Sequence, residues 1–220
     1  MNDENEGVIK YKLSHQNIPI NKNISIAEIN AWRTIFYKLE LIGQVAERYD
    51  GYGFGNISQR ISSNKPEKVN FIISGTQTGG IECLSKIHYC IIEEASTKQN
   101  SIQSAGETKP SSEALTHASV YQLDNTIQSI IHIHCPEIWH KSQQIGLPCT
   151  SSNVAYGTPE MAEEVKRLFQ SESLSNTAVF SMLGHEDGII SFSDSMEKAA
   201  CSLITLYSKA ILRTTTVTDF

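Results

Sequence analysis

The sequence predicts an α/β fold, on three observations. Four stretches place apolar residues at the three-to-four-residue spacing of a helix with one buried face. Between them lie short runs rich in Ile, Val and Phe, bounded by glycine, serine and asparagine, which read as strands. Helices and strands alternate with no Pro-rich or Ser/Gly-rich linker between them. Residues 25–220 therefore read as one domain, preceded by a polar and loosely held extension over 1–24.

The elements follow in order. "SIAEINAWRTIFYKLELIGQVAERY" (Ser25–Tyr49) opens with Ser25 as an N-cap and Glu28 three residues on, a pairing that satisfies two free backbone donors reciprocally. Ile29, Trp32, Ile35, Phe36, Leu39, Ile42 and Val45 then recur along one helical face. The glycine-rich turn "DGYGFG" leads into a short strand within "NISQRI". "KVNFIISGTQTGG" is a strand ended by a Ser-Gly turn, "IHYCIIEE" is another strand, and "SIQSAGETKP" reads as a loop. "SSEALTHASVYQL" is a helix, "DNT" a turn and "IQSIIHIH" a returning strand. "GTPEMAEEVKRLFQ" is a helix with Pro159 near its first turn, where a missing N–H leaves no bond unmade. "TAVFSMLGHEDGIISFS" reads as strand, turn and strand, and "SMEKAACSLITLYSKAILR" as the closing helix.

Bulk properties exclude several functions. A 40% apolar composition over 220 residues supports a real core. A net charge of −6 argues against general nucleic-acid or membrane-surface binding, both of which call for a basic face. Any anion site must therefore be local. Five cysteines, an odd number without a C-x-x-C pair, make neither a disulfide framework nor a zinc ribbon. The polar, acidic start "MNDENEGVIK" shows no signal peptide, and no apolar run approaches the roughly 18 residues of a membrane helix. The expectation is a cytoplasmic protein with reduced thiols.

Chemistry concentrates in "SIIHIHCPEIW" (Ser129–Trp139). Side chains in a strand alternate between faces, so His132 and His134 leave the same face side by side. Val or Ile would serve a core better there, and paired imidazoles suit a metal, although hydrogen-bonded core histidines satisfy the same pattern. A helix of about 12 residues rises roughly 18 Å and a strand of about 8 residues returns roughly 26 Å. The unit from Ser111 to His134 thus doubles back, and Glu113 can share one end with His134. A carboxylate beside two imidazoles is a metal-site ingredient or a general base. His185, in the Gly-flanked turn "LGHEDGII", is the first candidate for a third ligand; His117, one helical turn beyond Glu113, is the reserve and could equally partner Tyr121. Three histidines with an open position are a catalytic rather than a structural zinc pattern.

Three small-residue turns add a second theme. Gly55 and Asn56, Ser74 and Gly75, and Ser111 and Ser112 at a helix start each offer backbone or hydroxyl donors to an anion, and Lys109 adds a local positive charge.

In this order the motifs resemble the class II aldolase/adducin family. The matching stretches are "GNIS" (Gly55–Ser58), "ISG" (Ile73–Gly75), "PSSE" (Pro110–Glu113), "HIH" 19 residues after that glutamate, "YGTPEMAEEV" (Tyr156–Val165), and His185 followed by "GII" and "MEKA". They cover roughly residues 28 to 210. The resemblance implies an α/β/α layered domain with a central, mostly antiparallel sheet. It implies a divalent metal, usually zinc, on His132, His134 and His185, with Glu113 as acid/base. It implies a phosphate site at Gly55, Asn56, Ser74, Gly75, Ser111 and Ser112, and a homotetramer with active sites at subunit interfaces. Two departures stand out. "GHEDGII" is longer than the family's usual "NHG" turn, and the tyrosines that family aldolases use as proton donors have no obvious counterpart, Tyr156 and Tyr207 being available.

What this implies is a metal-dependent aldolase acting on a small ketose phosphate through an enediolate. A dehydratase of the methylthioribulose-phosphate type is the second reading. Epimerases of the family carry Asp where Glu113 stands, which ranks them lower. Adducin-like relatives keep the fold as assembly proteins without the chemistry, and would lack the histidines and the glutamate that this chain has.

Overall fold

A computed structural model describes residues 7–61, 69–171, 173–174 and 177–215. Residues 1–6 of the expected extension and Lys68 of the expected strand fall outside them. Strands β1 (Lys12–Asn17), β4 (Asn56–Arg60), β5 (Phe71–Ser74), β6 (Tyr89–Ser96), β7 (Ser101–Gly106), β8 (Ser129–His134), β9 (Val179–Ser181) and β10 (Gly188–Ser193) form one sheet in the order β1-β7-β6-β5-β4-β8-β10-β9. Only the β1–β7 pairing is parallel. Two further short strands, β2 (Gly43–Gln44) and β3 (Gly53–Phe54), make a separate ribbon. The helices are α1 (Ala27–Lys38), α2 (Ala114–Leu123), α3 (Pro136–Trp139), α4 (Pro159–Gln170) and α5 (Met196–Thr215).

The sheet is covered on both faces. Leu115 and Tyr121 of α2, with Met161 and Val165 of α4, pack on Phe71, Ile73, Ile130 and Ile190. On the opposite face Ile29 and Phe36 of α1, Ile138 of α3 and Leu203 of α5 pack on Ile57, Ile72, Ile131 and Ile189. Strand β8 runs through the centre with all six residues buried. Its alternation sends Ile131 and Ile133 to the α1/α5 face, and therefore Ile130, His132 and His134 to the other. Burying each such isoleucine contributes about 1.5–3 kcal/mol, which pins the register that aims the histidines.

Four local expectations need correction. Helix α1 stops at Lys38 rather than running to Tyr49. Glu40 takes a left-handed φ of 57°, and the N–H groups of Leu41 and Ile42 both turn back to the Phe36 carbonyl, so Leu41 and Ile42 enter the core from a loop. The Ser25/Glu28 cap does not form: Ile26 is the N-cap residue, and Glu28 instead accepts from the Gln59 amide at 2.9 Å. "SIQSAG" is strand β7, not loop, and Lys12–Asn17 of the supposedly loose extension is the edge strand β1 beside it. Both strands are too polar for periodicity to reveal; β1 exposes most of its side chains and is held by its backbone ladder and by His15 Nδ1 against the Ser104 hydroxyl at 2.9 Å.

Candidate metal centre and active site

Three elements converge at one end of β8. Gly188 of β10 lies opposite His134, so the turn between β9 and β10 hangs beside the end of β8. That turn is closed by His185 N–H to the Met182 carbonyl and Gly188 N–H to the His185 carbonyl, both 3.0 Å. It delivers His185 onto the pair, and the ligating nitrogens of His132, His134 and His185 lie within 4.8 Å of one another, all buried. Gly188 is obligatory: a Cβ there would stand 2.7 Å from His185 Cδ2 and 3.3 Å from His132 Cε1.

Glu113 is the N-cap residue of α2, brought to the histidines by the helix-turn-strand return. Its Oε2 lies 2.9 Å from His132 Nε2 and its Oε1 lies 3.3 Å from His185 Nε2, and the Asn56 amide donates to Oε2 at 2.6 Å. His132 Nδ1–H is spent on the Ile189 carbonyl at 3.1 Å, which leaves Nε2 as a lone-pair acceptor. Nε2 therefore faces Glu113 Oε2 in a buried space. Such a pairing is repulsive unless a proton or a metal ion joins them. Three imidazoles and a carboxylate suit zinc and other divalent transition metals, so the residues fit a metal ion.

The electrostatics agree. Burial, followed by the neighbouring His185 and His132, pushes His134 well below its ordinary value, leaving a neutral imidazole able to ligate. Burial alone would raise Glu113, but His132 and His185 outweigh it and hold the carboxyl well below the usual range.

The expected phosphate residues largely share one hollow. Gly55, Asn56, Gly75, Ser111 and Ser112 line it together with Gly7, Thr76, Gln77 and Gly79, and its volume is about 20 Å³, room for roughly one water. Ser74 is not among the lining residues; its hydroxyl accepts from Ile57 N–H at 3.2 Å. Gly75 N–H is committed to the His88 carbonyl at 2.8 Å, so it is not free for an anion. Lys109 contributes its backbone carbonyl to Thr76 N–H, not a charge to the lining. Gly55, at φ 72°, could carry no Cβ without approaching Ile42 Cγ1 to 2.8 Å.

His117 is not a member of the histidine cluster. Its Nδ1 meets the Ser58 hydroxyl at 2.7 Å, and Ser58 meets Tyr121 Oη at 2.9 Å, so the partnership with Tyr121 runs through a serine. Burial pushes His117 down to about 3. Tyr156 lies against His185 with ring centroids 4.5 Å apart, whereas Tyr207 packs among the α1/α5-face residues. Sequence reading missed Tyr49, whose ring meets that of His134 edge-on at 4.6 Å. Its only signal was a bulky residue inside a glycine-rich turn. Tyr49 and His185 also border an open hollow of about 790 Å³ with Glu47, Asp50 and Glu186 on its walls.

The class of protein is thus a layered α/β/α domain with a buried three-histidine and glutamate cluster at one end of its sheet. Residues 44–210 match the family model described as "Class II Aldolase and Adducin N-terminal domain", and the chain belongs to that family. Solved structures share the fold. A putative aldolase/epimerase/decarboxylase, YgbL, from Klebsiella pneumoniae superposes with a TM-score of 0.63 at 15% identity, covering 88% of this chain and 89% of its own. A sugar-phosphate aldolase from Thermotoga maritima gives 0.62 at 17%, covering 89% and 96%. An L-fuculose-1-phosphate aldolase from Thermus thermophilus gives 0.60 at 16%, covering 86% and 91%. No curated protein matches the sequence. Among the described residues no helix is long and apolar enough to cross a membrane.

Proposed function

We propose that this protein is a metal-dependent aldolase that cleaves a small ketose phosphate, working in the cytoplasm as a homotetramer. The observation that carries the reading is Glu113, buried and within 2.9–3.3 Å of two histidines of a three-histidine cluster. Family membership supports it, and the structural neighbours, at low identity, support only the fold. His132, His134 and His185 would hold the ion, zinc first. A bound divalent ion would act as a Lewis acid on the substrate carbonyl and make the neighbouring C–H or O–H group acidic.

The chain's own residues then divide the remaining work. Glu113 takes the proton at Oε1 or Oε2, and Asn56, donating to Oε2, keeps the carboxylate aimed. Ser111 and Ser112, with Gly55 and Asn56, hold the phosphate at the start of α2, where helix N–H groups favour an anion. The hollow is about 20 Å³, so phosphate entry requires the Gln77 side chain, which reaches across to Gly53 N–H, to move aside.

The test is a panel of ketose phosphates incubated with zinc-loaded protein, scored for aldehyde release and for water loss. Aldehyde release that stops with a chelator and returns with zinc is expected. Water loss in its place would make the protein a dehydratase, and no turnover of any member would overturn the enzymatic reading. Ser112→Asp, which puts a negative charge in the phosphate hollow, should weaken binding of phosphorylated sugars; equal affinity for non-phosphorylated sugars in the parent would discard the phosphate site.

A further inference from the structure

Among the described residues, six non-glycine positions have left-handed backbone, and three of them, Tyr49, Asp50 and Asp187, surround the histidine cluster. A bulky residue such as Tyr at φ 51° is an uncommon strain, and such strain persists only where the surroundings over-determine it. Here they do. Tyr49 O–H donates to Asp187 Oδ2 at 2.6 Å, and the Arg48 guanidinium donates to Tyr49 Oη at 2.8 Å. The same guanidinium lies over Phe54, 4.6 Å from the ring centroid, and Phe54 meets both Tyr49 and His134. The Asp187 carbonyl accepts Cys135 N–H at 2.8 Å, directly after His134.

Asp187 belongs to the turn that carries His185, the turn whose length departs from the family pattern. Tyr49 belongs to the loop between β2 and β3, and its ring meets that of His134. Their bond is a strut between two loops, and the Tyr49 end of it packs on the His134 ring. We propose that Tyr49 and Asp187, aligned by Arg48, are positioning residues that lock His134 and His185 in ligating geometry and so set the affinity of the metal site. The proposal rests on the three-histidine metal reading. Partners that orient metal-ligating histidines typically change metal affinity 10- to 100-fold when removed.

The experiment is zinc affinity by chelator competition, with the melting temperature of the metal-free protein measured alongside. Asp187→Gly removes the carboxylate and suits a φ of 60°, so backbone strain falls. It should leave the metal-free melting temperature equal or higher while weakening zinc about 10- to 100-fold. Asp187→Asn keeps an acceptor for Tyr49 and tolerates the left-handed backbone, and should recover much of the affinity. Tyr49→Phe keeps the ring and loses the O–H, and should resemble Asp187→Gly; it also serves if Asp187→Gly does not fold. The absorption spectrum of the cobalt-substituted variants should shift relative to the parent. Parent-like zinc affinity in both Asp187→Gly and Tyr49→Phe overturns the strut. His134→Ala separates the two levels: if it loses zinc while the strut variants do not, only the strut is wrong, and if the parent binds no zinc, the metal reading falls first.

Discussion

One nitrogen of His132 decides what the other can do. Because Nδ1–H is held by the Ile189 carbonyl, Nε2 is presented as a ligand toward Glu113. Glu113 sits where an ionised carboxylate is favoured three ways, by the two histidines, the Asn56 amide and the start of a helix. Glu113→Gln keeps the shape and removes the base. Turnover of the substrate identified in the panel should fall about 100- to 10,000-fold, with little change in KM, as steady-state kinetics would show. An unchanged kcat would leave Glu113 as a helix-start acid. His134→Ala should sharply reduce zinc content measured by elemental analysis, because it removes one of the three imidazoles. At this scale much was legible. The i, i+2 spacing of His132 and His134 is a fact of strand geometry, and Glu113 follows from the chain doubling back. Gly75 was less legible as an anion donor because composition does not say where an N–H is already committed; the His88 carbonyl takes it.

At the scale of the element, legibility followed burial. Strand β8, enclosed on both faces, and helix α4, with Pro159 at its start and Thr158 accepting from Met161 N–H, declare themselves in the sequence. Strands β1 and β7 do not, because the edge of a sheet needs backbone pairing more than an apolar pattern. Helix α1 was read too long because Leu39, Ile42 and Val45 continue its spacing, while the turn at Glu40 depends on a left-handed conformation that no residue type announces. The turn at Gly55 yields a separate prediction. Gly55→Ala forces a side chain into a left-handed position, costing about 1–2 kcal/mol, and presses it against Ile42 and within 3.1 Å of the His132 carbonyl. Urea denaturation should show a loss at least that large, and zinc affinity should fall with it because the strained contact lies on the strand that carries His132 and His134.

For the whole molecule, the buried histidines make stability depend on pH. His117 has an ordinary value of 6.5 when exposed and about 3 when folded, and His134 is also lowered. Between these values the unfolded chain binds protons that the folded one refuses, so stability falls as pH drops from about 6.5 towards 3. Each such histidine contributes a slope of roughly 1.4 kcal/mol per pH unit across its window. Urea titrations of metal-free protein at a series of pH values should show the decline, and His117→Gln should make it shallower by about one proton. An equal slope in the variant would mean that His117 is solvated in the folded protein.

Strand β1 has a consequence in time as well as in space. Its partner in the parallel ladder begins at Ser101, so the two strands are drawn together from far apart in the chain. Synthesis at roughly 5–20 residues per second separates Lys12 from Ser101 by about 4 to 18 seconds, during which β1 waits without its parallel partner. Its polar sequence, "KLSHQN", lets it wait in water without recruiting another chain until Ser101–Gly106 has emerged.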